Sequence, residues 1–289
     1  DWASLGSGTG GAEYPFVDAL IVYGGQLVAG GDFTTAGGIP ANRIASWNGS
    51  AWSSLGSGVG ELETDCVLAL AVFNNQLYAG GNFSVAGDED ASNIAVWNES
   101  SWAPLGSGTG GDILALTVYD GKLIAGGQFY IAGETPSNHI AAWSGSSWSA
   151  LGEGMNDAVF ALAVFDGQLV AGGRFTQAGG SDANHIAAWN GSTWSPLGAG
   201  TNGLWVDALI VYKDCLIAGG SFTSAGGNTA KGIAIWNGSS WAQLGSGLEF
   251  DYDDPSVSAL CIYIDRLAVG GVFTTAGGIQ DDNIALWEN

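Results

Sequence analysis

A phrase built on Ala-Gly-Gly-x-Phe, then Ile-Ala-x-Trp, then Trp-x-x-Leu-Gly runs through the chain six times, and that repetition limits the folds open to it more than any other feature. Its phenylalanines are Phe33, Phe83, Phe129, Phe175, Phe222 and Phe273, so successive copies lie 50, 46, 46, 47 and 51 residues apart. A period of this length marks an array of small β units, each too small to bury a core alone and each stacking on its neighbours. Residues present in every copy are therefore read as architecture, and residues that break the pattern as candidates for function. The repeat fills all 289 residues, which leaves room for one domain, 1–289.

The second copy shows how one unit is built. Val67-Leu-Ala-Leu-Ala-Val-Phe73 is apolar on both alternating faces, as a strand covered on both sides must be, and Asn74-Asn75 supplies a tight turn. Leu77 to Phe83 is the second strand, with a glycine pair where a neighbouring backbone or a large aromatic ring must come close. A polar connection leads to Ile94-Ala-Val-Trp97, the third strand, and a short corner to Trp102-Ala-Pro-Leu105, the fourth. The other corners read Asn48-Gly49, Ser144-Gly145, Asn190-Gly191 and Asn237-Gly238, residues that tolerate positive φ.

Four strands at this period are the signature of propeller blades. The reading is an all-β, six-bladed β-propeller with four antiparallel strands per blade. Strand 1–6, which contains Trp2 and Leu5, would complete the last blade, 257–289, next to Trp287 and close the ring. Asp120-Gly-Lys-Leu-Ile-Ala-Gly-Gly127, with an aromatic on the third strand and Trp opening the fourth, resembles a kelch repeat. The Gly-Gly-x-Phe and Ile-Ala-x-Trp-Asn-Gly variant is similar to propeller repeats of secreted or surface-anchored microbial proteins and of fungal cell-surface landmark proteins. Trp stands where kelch repeats usually carry Tyr, and the corner is shorter. The resemblance implies a module that binds other molecules at an extracellular or cell-surface location.

Composition narrows the partners. Six Lys and Arg against 28 Asp and Glu give a net charge of −22, a field that repels nucleic acid and anionic membrane surfaces. No apolar run approaches the roughly 20 residues of a membrane span, so membrane insertion is not expected. The first residue is Asp1, with no initiator Met or apolar leader, as in a mature product or a part of something longer. Cys66, Cys215 and Cys261 sit in different registers and give no disulfide framework, and Cys261, within a strand, is expected to be a buried free thiol.

Several conspicuous residues read as architecture. Twelve tryptophans occupy two repeated positions, and burying each removes about 150 to 250 Å² from water, worth roughly 4 to 6 kcal/mol gross. Packing between blades therefore explains them better than sugar platforms. His139 and His185 share one register with Arg43, Asn93, Gly232 and Asn283, which points to a polar start of the third strand. No Ser/His/Asp constellation stands outside the repeat, and catalytic residues are not assigned. Asn48, Asn98, Asn190 and Asn237 head Asn-x-Ser triplets at hairpin corners and become N-glycan acceptors if the chain is secreted by a eukaryote.

The pattern breaks in the connections between blades and between second and third strands, where 19 of the 28 acids fall. Divergent loops on a repeated scaffold are where binding usually lives. The candidate ligand-binding residues are Trp205, the tryptophan outside the repeat, with Tyr252, Phe250, Tyr14, Glu61, Glu63, Asp88 and Asp90. No cofactor is required. Calcium is the one candidate ion, through Asp251, Asp253 and Asp254, although no EF-hand-like loop surrounds them.

The leading expectation is a non-enzymatic binding or structural module that contacts protein or glycan through an acidic loop rim. Two alternatives stand beside it. One is a self-assembling element of a surface layer or filament. The other is a hydrolase or lyase using paired carboxylates, Glu61 with Asp65 or Asp251 with Asp254.

Overall fold

The computed structural model describes residues 3–251, 254–281 and 283–288. The described residues are strands, turns and loops, and no helix among them is long and apolar enough to cross a membrane. The chain divides into two compact units, 1–150 and 151–289.

The first unit holds three antiparallel four-stranded sheets. Sheet 1 runs Phe16–Tyr23, Gln26–Asp32, Ile44–Trp47 and Trp52–Ser54. Sheet 2 runs Cys66–Phe73, Gln76–Asn82, Ile94–Trp97 and Trp102–Pro104, within a residue or so of the strands expected from its alternation. Sheet 3 begins at Ile113–Tyr119 and ends at Trp148–Ala150. In each sheet the strands pair in chain order, first to fourth. In the second unit, sheet 4 covers 159–196 and sheet 5 covers 205–243 in the same order, while sheet 6 has three strands among the described residues, Ser256–Tyr263, Arg266–Val272 and Ile284–Trp287.

The glycine pair is explained by two different close approaches. The register of sheet 2 slips between Val67 and Ala69, a bulge at Leu68 that presses the first strand onto the second. A Cβ on Gly81 would overlap the Cys66 carbonyl oxygen. A Cβ on Gly80 would stand 2.6 Å from the Ile113 Cγ2 of sheet 3, and one on Gly30 would stand 2.5 Å from the Val67 Cγ1 of sheet 2. Of the two neighbours expected, backbone is the one that crowds Gly81, while the hollows at Gly80 and Gly30 receive β-branched aliphatic side chains in place of an aromatic ring.

The tryptophans pack in pairs and also staple. In sheet 2 the rings of Trp97 and Trp102 lie 5.3 Å apart and tilted, and the Trp102 indole N–H donates to the Leu55 carbonyl, in the segment that leaves sheet 1. Trp52 donates likewise to Leu5 and Trp148 to Leu105, and in the second unit Trp194 donates to Leu151 and Trp241 to Leu197. Phe33, Phe83 and Phe129 are buried in the first unit, and Phe175, Phe222 and Phe273 in the second.

The terminal sheets are covered less completely. Val17 in sheet 1 is 42 % exposed where its counterpart Val67 is fully buried, and in sheet 6 Ile284 and Leu286 are exposed. Cys261 is correspondingly free and exposed. This corrects the expectation of a buried thiol: its register matches buried residues of other sheets, but the face that carries it in sheet 6 has less packed against it.

Candidate functional site

The connections between sheets and those between second and third strands emerge at the same end of the sheets and bond to each other. In sheet 2 the second connection folds into a small ribbon, Val85–Ala86 against Glu89–Asp90. The loop entering sheet 2 meets this ribbon through the Gly60 N–H, which donates to the Val85 carbonyl at 2.8 Å. Glu61 and Glu63 are thereby brought to the same end as Asp88 and Asp90, and all four are exposed.

Asp65 is different. It is 3 % exposed, and its carboxylate accepts the backbone N–H groups of Glu61 and Leu62 at 2.8 and 2.9 Å. Arg43, also buried, completes the loop: its guanidinium donates to the carbonyls of Asp65, Leu62 and Phe33. These two charged groups are spent on holding the loop, so Arg43 offers little neutralisation to the outer carboxylates.

Arg43, Asn93, His139, His185 and Asn283 all adopt left-handed backbone just before the third strand, at φ between 61 and 67°. Asn93 donates from Nδ2 to the Thr109 carbonyl at 2.9 Å, and the His139 Nδ1 lies 3.2 Å from the Gly127 carbonyl. Burial pushes the His185 imidazole below its ordinary range. The register is a structural tie, filled by whichever polar side chain can reach.

Two acids counted with the loop charge, Asp18 and Asp207, stand instead at the bulges of first strands. Asp18 occupies the bulge of sheet 1; its side chain still reaches solvent, and partial desolvation followed by the nearby Asp32 pushes its carboxyl up. Burial also raises Asp112 and the Cys66 thiol, which feels Asp18, Asp112 and Asp32. The signal lay in the repeat: the six bulge positions read Asp18, Leu68, Leu114, Phe160, Asp207 and Ser258, so two acids stand where aliphatic or aromatic residues prevail.

Asp207 is the second of these. In sheet 5 Trp205 opens the first strand opposite Ser221 and hydrogen-bonds the Asp207 carboxylate. Burial nevertheless raises Asp207 to about 6. Nearby charges in the second unit are partly paired, Arg174 with Asp157 at 3.0 Å and Lys231 with Glu249 at 2.9 Å. Phe250 is half-buried, and Asp251 and Asp254 are exposed. Tyr252 and Asp253 lie outside the described residues, as does Trp2. Among the described residues no group of three or more His, Cys, Asp or Glu is arranged to hold a metal ion. Tyr14 is exposed in the first unit. Asn48, Asn98, Asn190 and Asn237 stand at exposed corners, where each Oδ1 accepts backbone N–H groups two and three residues on.

Comparison with known proteins bears on the fold. The family described as the Rax2 C-terminal beta propeller domain matches residues 63–209. No curated protein matches the chain. Among solved structures, the chain is similar to the extracellular domain of the putative hybrid two component system BT4673 from B. thetaiotaomicron, with a TM-score of 0.63 and 13 % identity over 98 % of this chain and 33 % of that one. It is similar to the RRP9 WD40 repeats, with a TM-score of 0.60 and 14 % identity over 95 % of this chain and 81 % of that one. The computationally designed Ika8 protein aligns with a TM-score of 0.54 and 17 % identity over 94 % of this chain and 70 % of that one. At these identities the likeness is one of fold.

Proposed function

Because this chain belongs to the Rax2 C-terminal beta propeller domain family, we propose that it is a non-enzymatic, extracellular or cell-surface module that binds protein or glycan through the acidic loop end of its sheets. The observation that carries this reading is the division of labour among the carboxylates. Asp65 is consumed by the loop's own amides, whereas Glu61, Glu63, Asp88 and Asp90 are left exposed on a scaffold that repeated packing makes rigid. With six Lys and Arg in the whole chain, that charge is available to a cationic protein surface or to sugar hydroxyls.

The test is a glycan array together with a library of basic peptides, probed with the wild type and with a Glu61→Gln, Glu63→Gln, Asp88→Asn, Asp90→Asn variant. Retention by the wild type and loss in the variant support the reading; equal retention, or none by either, refutes it. A rise in melting temperature on adding calcium would extend the proposal to weak ion binding at Asp251, Asp253 and Asp254.

The finer architecture belongs to the same proposal: a single propeller domain of six blades, with strand 1–6 completing the last. Sheet 6 lends support, since the described residues give it three strands where sheets 1 to 5 have four. Self-assembly is a second reading, favoured by the exposed apolar side chains of the terminal sheets, and sedimentation at rising concentration tests it.

A further inference from the structure

At the other end of the sheets, where the hairpin turns lie, the packing of sheet 1 against sheet 2 is incomplete. A cavity of about 430 Å³ opens there, walled by Tyr23, Gln26 and Ser46 of sheet 1 and by Asn75, Trp97 and Glu99 of sheet 2. The crevice has a smaller counterpart. Between sheets 5 and 6 it recurs, lined by Tyr212, Cys215, Ile235 and Trp287, but there it measures about 210 Å³. Sites for small ligands span roughly 300 to 1,000 Å³, so the first crevice falls within that range and the second below it.

Two departures from the repeat and one missing hydrogen bond set the first crevice apart. Ser46 stands where the other sheets carry Val96, Ala142, Ala188, Ile235 and Leu286. It is 8 % exposed, and it places a hydroxyl in the cavity wall where the other sheets place an apolar group. Tyr212 donates its hydroxyl to the Asp265 carbonyl at 2.7 Å and so latches the smaller crevice, whereas its counterpart Tyr23 makes no such bond. Glu99 holds a left-handed φ of 74° at a corner where Gly49, Gly145, Gly191 and Gly238 stand in other sheets. Backbone strain of this kind concentrates at functional sites.

We propose that this cavity binds a neutral sugar ring, one hexose unit of a glycan. Sugar hydroxyls both donate and accept, and the amides of Gln26 and Asn75 and the hydroxyls of Ser46 and Tyr23 can answer in either sense. The Glu99 carboxylate adds an acceptor, and the Trp97 indole an apolar surface for ring C–H groups. Burial and the nearby Glu99 push the Tyr23 phenol up, which keeps it protonated and a donor. No Lys or Arg lines the cavity, so an anionic sugar or a phosphate would find no counter-charge. The site is remote from the acidic loops and stands independently of the function proposed for them.

The test is saturation-transfer NMR on the full chain with glucose, mannose, galactose and N-acetylglucosamine, and with tetramethylammonium as a cationic probe. Millimolar binding of at least one sugar is expected. Ser46→Val, which installs the residue found at Val96, should weaken it by about tenfold or more. Glu99→Gly, the residue of the other corners, should weaken it as well, and Ser46→Ala serves if valine disturbs the fold. The proposal is overturned if none of the four sugars receives transfer, if tetramethylammonium alone binds, or if sugar binding is unchanged in the folded Ser46 variants.

Discussion

The seating of Val67 in the hollow of Gly30 can be tested as a coupled pair. A Cβ on Gly30 would lie 2.5 Å from the Val67 Cγ1 and 3.1 Å from its Cβ, with the Leu70 Cδ1 at 3.5 Å. Gly30→Ala therefore overpacks the contact between sheets 1 and 2, at a cost of about 1 to 3 kcal/mol, less roughly 0.5 kcal/mol recovered by restricting the unfolded chain. Val67→Ala removes two methyl groups from a fully buried site and leaves a void, at a cost of about 2 to 3 kcal/mol. Were the two independent, the double variant would lose about 4 kcal/mol. Because the alanine at 30 grows into the space vacated at 67, the double variant should lose only about 2 kcal/mol, a coupling of about 2 kcal/mol. Urea denaturation of the four proteins, with m-values held in common, reads the difference. Additive losses within about 0.5 kcal/mol would refute the knob-and-hollow account of the glycine pair.

Trp194→Phe should destabilise the second unit by about 2 to 3 kcal/mol in the same assay, because it deletes a buried indole donor that sits 2.8 Å from the Leu151 carbonyl and trims a packed ring. Asp65→Ala should cost about 1 to 2 kcal/mol and open loop 60–65 to proteolysis, since the amides of Glu61 and Leu62 lose their acceptor. Asp207 makes a pH prediction. Its folded value of about 6 exceeds the unfolded value near 4, so between the two the folded state keeps a proton that the unfolded state has released. Stability from this group is intact below about pH 4 and falls as pH climbs through 6. Asp207→Asn should match the wild type in melting temperature near pH 4 and surpass it at pH 7; an unchanged difference across that range would contradict the assignment.

Strands were legible in this sequence because their signals are local. A run apolar on both faces marked Val67–Phe73, observed as Cys66–Phe73, and the Asn-Gly corners marked the hairpins that join third to fourth strands. The left-handed register of Arg43, Asn93, His139 and His185 was visible as a polar position, because unrelated side chains shared it. What escaped depends on which surfaces meet. The sequence does not reveal whether the face bearing Cys261 is covered, or that the glycine hollow receives Val67 and not an aromatic ring. The acids of the candidate site were legible as loop charge, but the split between structural Asp65 and exposed Glu61 and Glu63 depends on two hydrogen bonds that close over four residues. Ser46 and Glu99 were hidden for another reason: each departs from the repeat by a single residue in turns and strands that otherwise look uniform.

The indole-to-leucine bonds all point the same way along the chain, from the fourth strand of one sheet back to the segment that leaves its predecessor. Such a linkage has a polarity. A sheet that loses its successor yields a carbonyl to water, whereas a sheet that loses its predecessor yields its indole N–H to water and also uncovers part of a buried tryptophan ring. Trimming the array from its carboxyl end should therefore be gentler than trimming it from its amino end, and a growing chain can secure each sheet as soon as it emerges, on footing already laid.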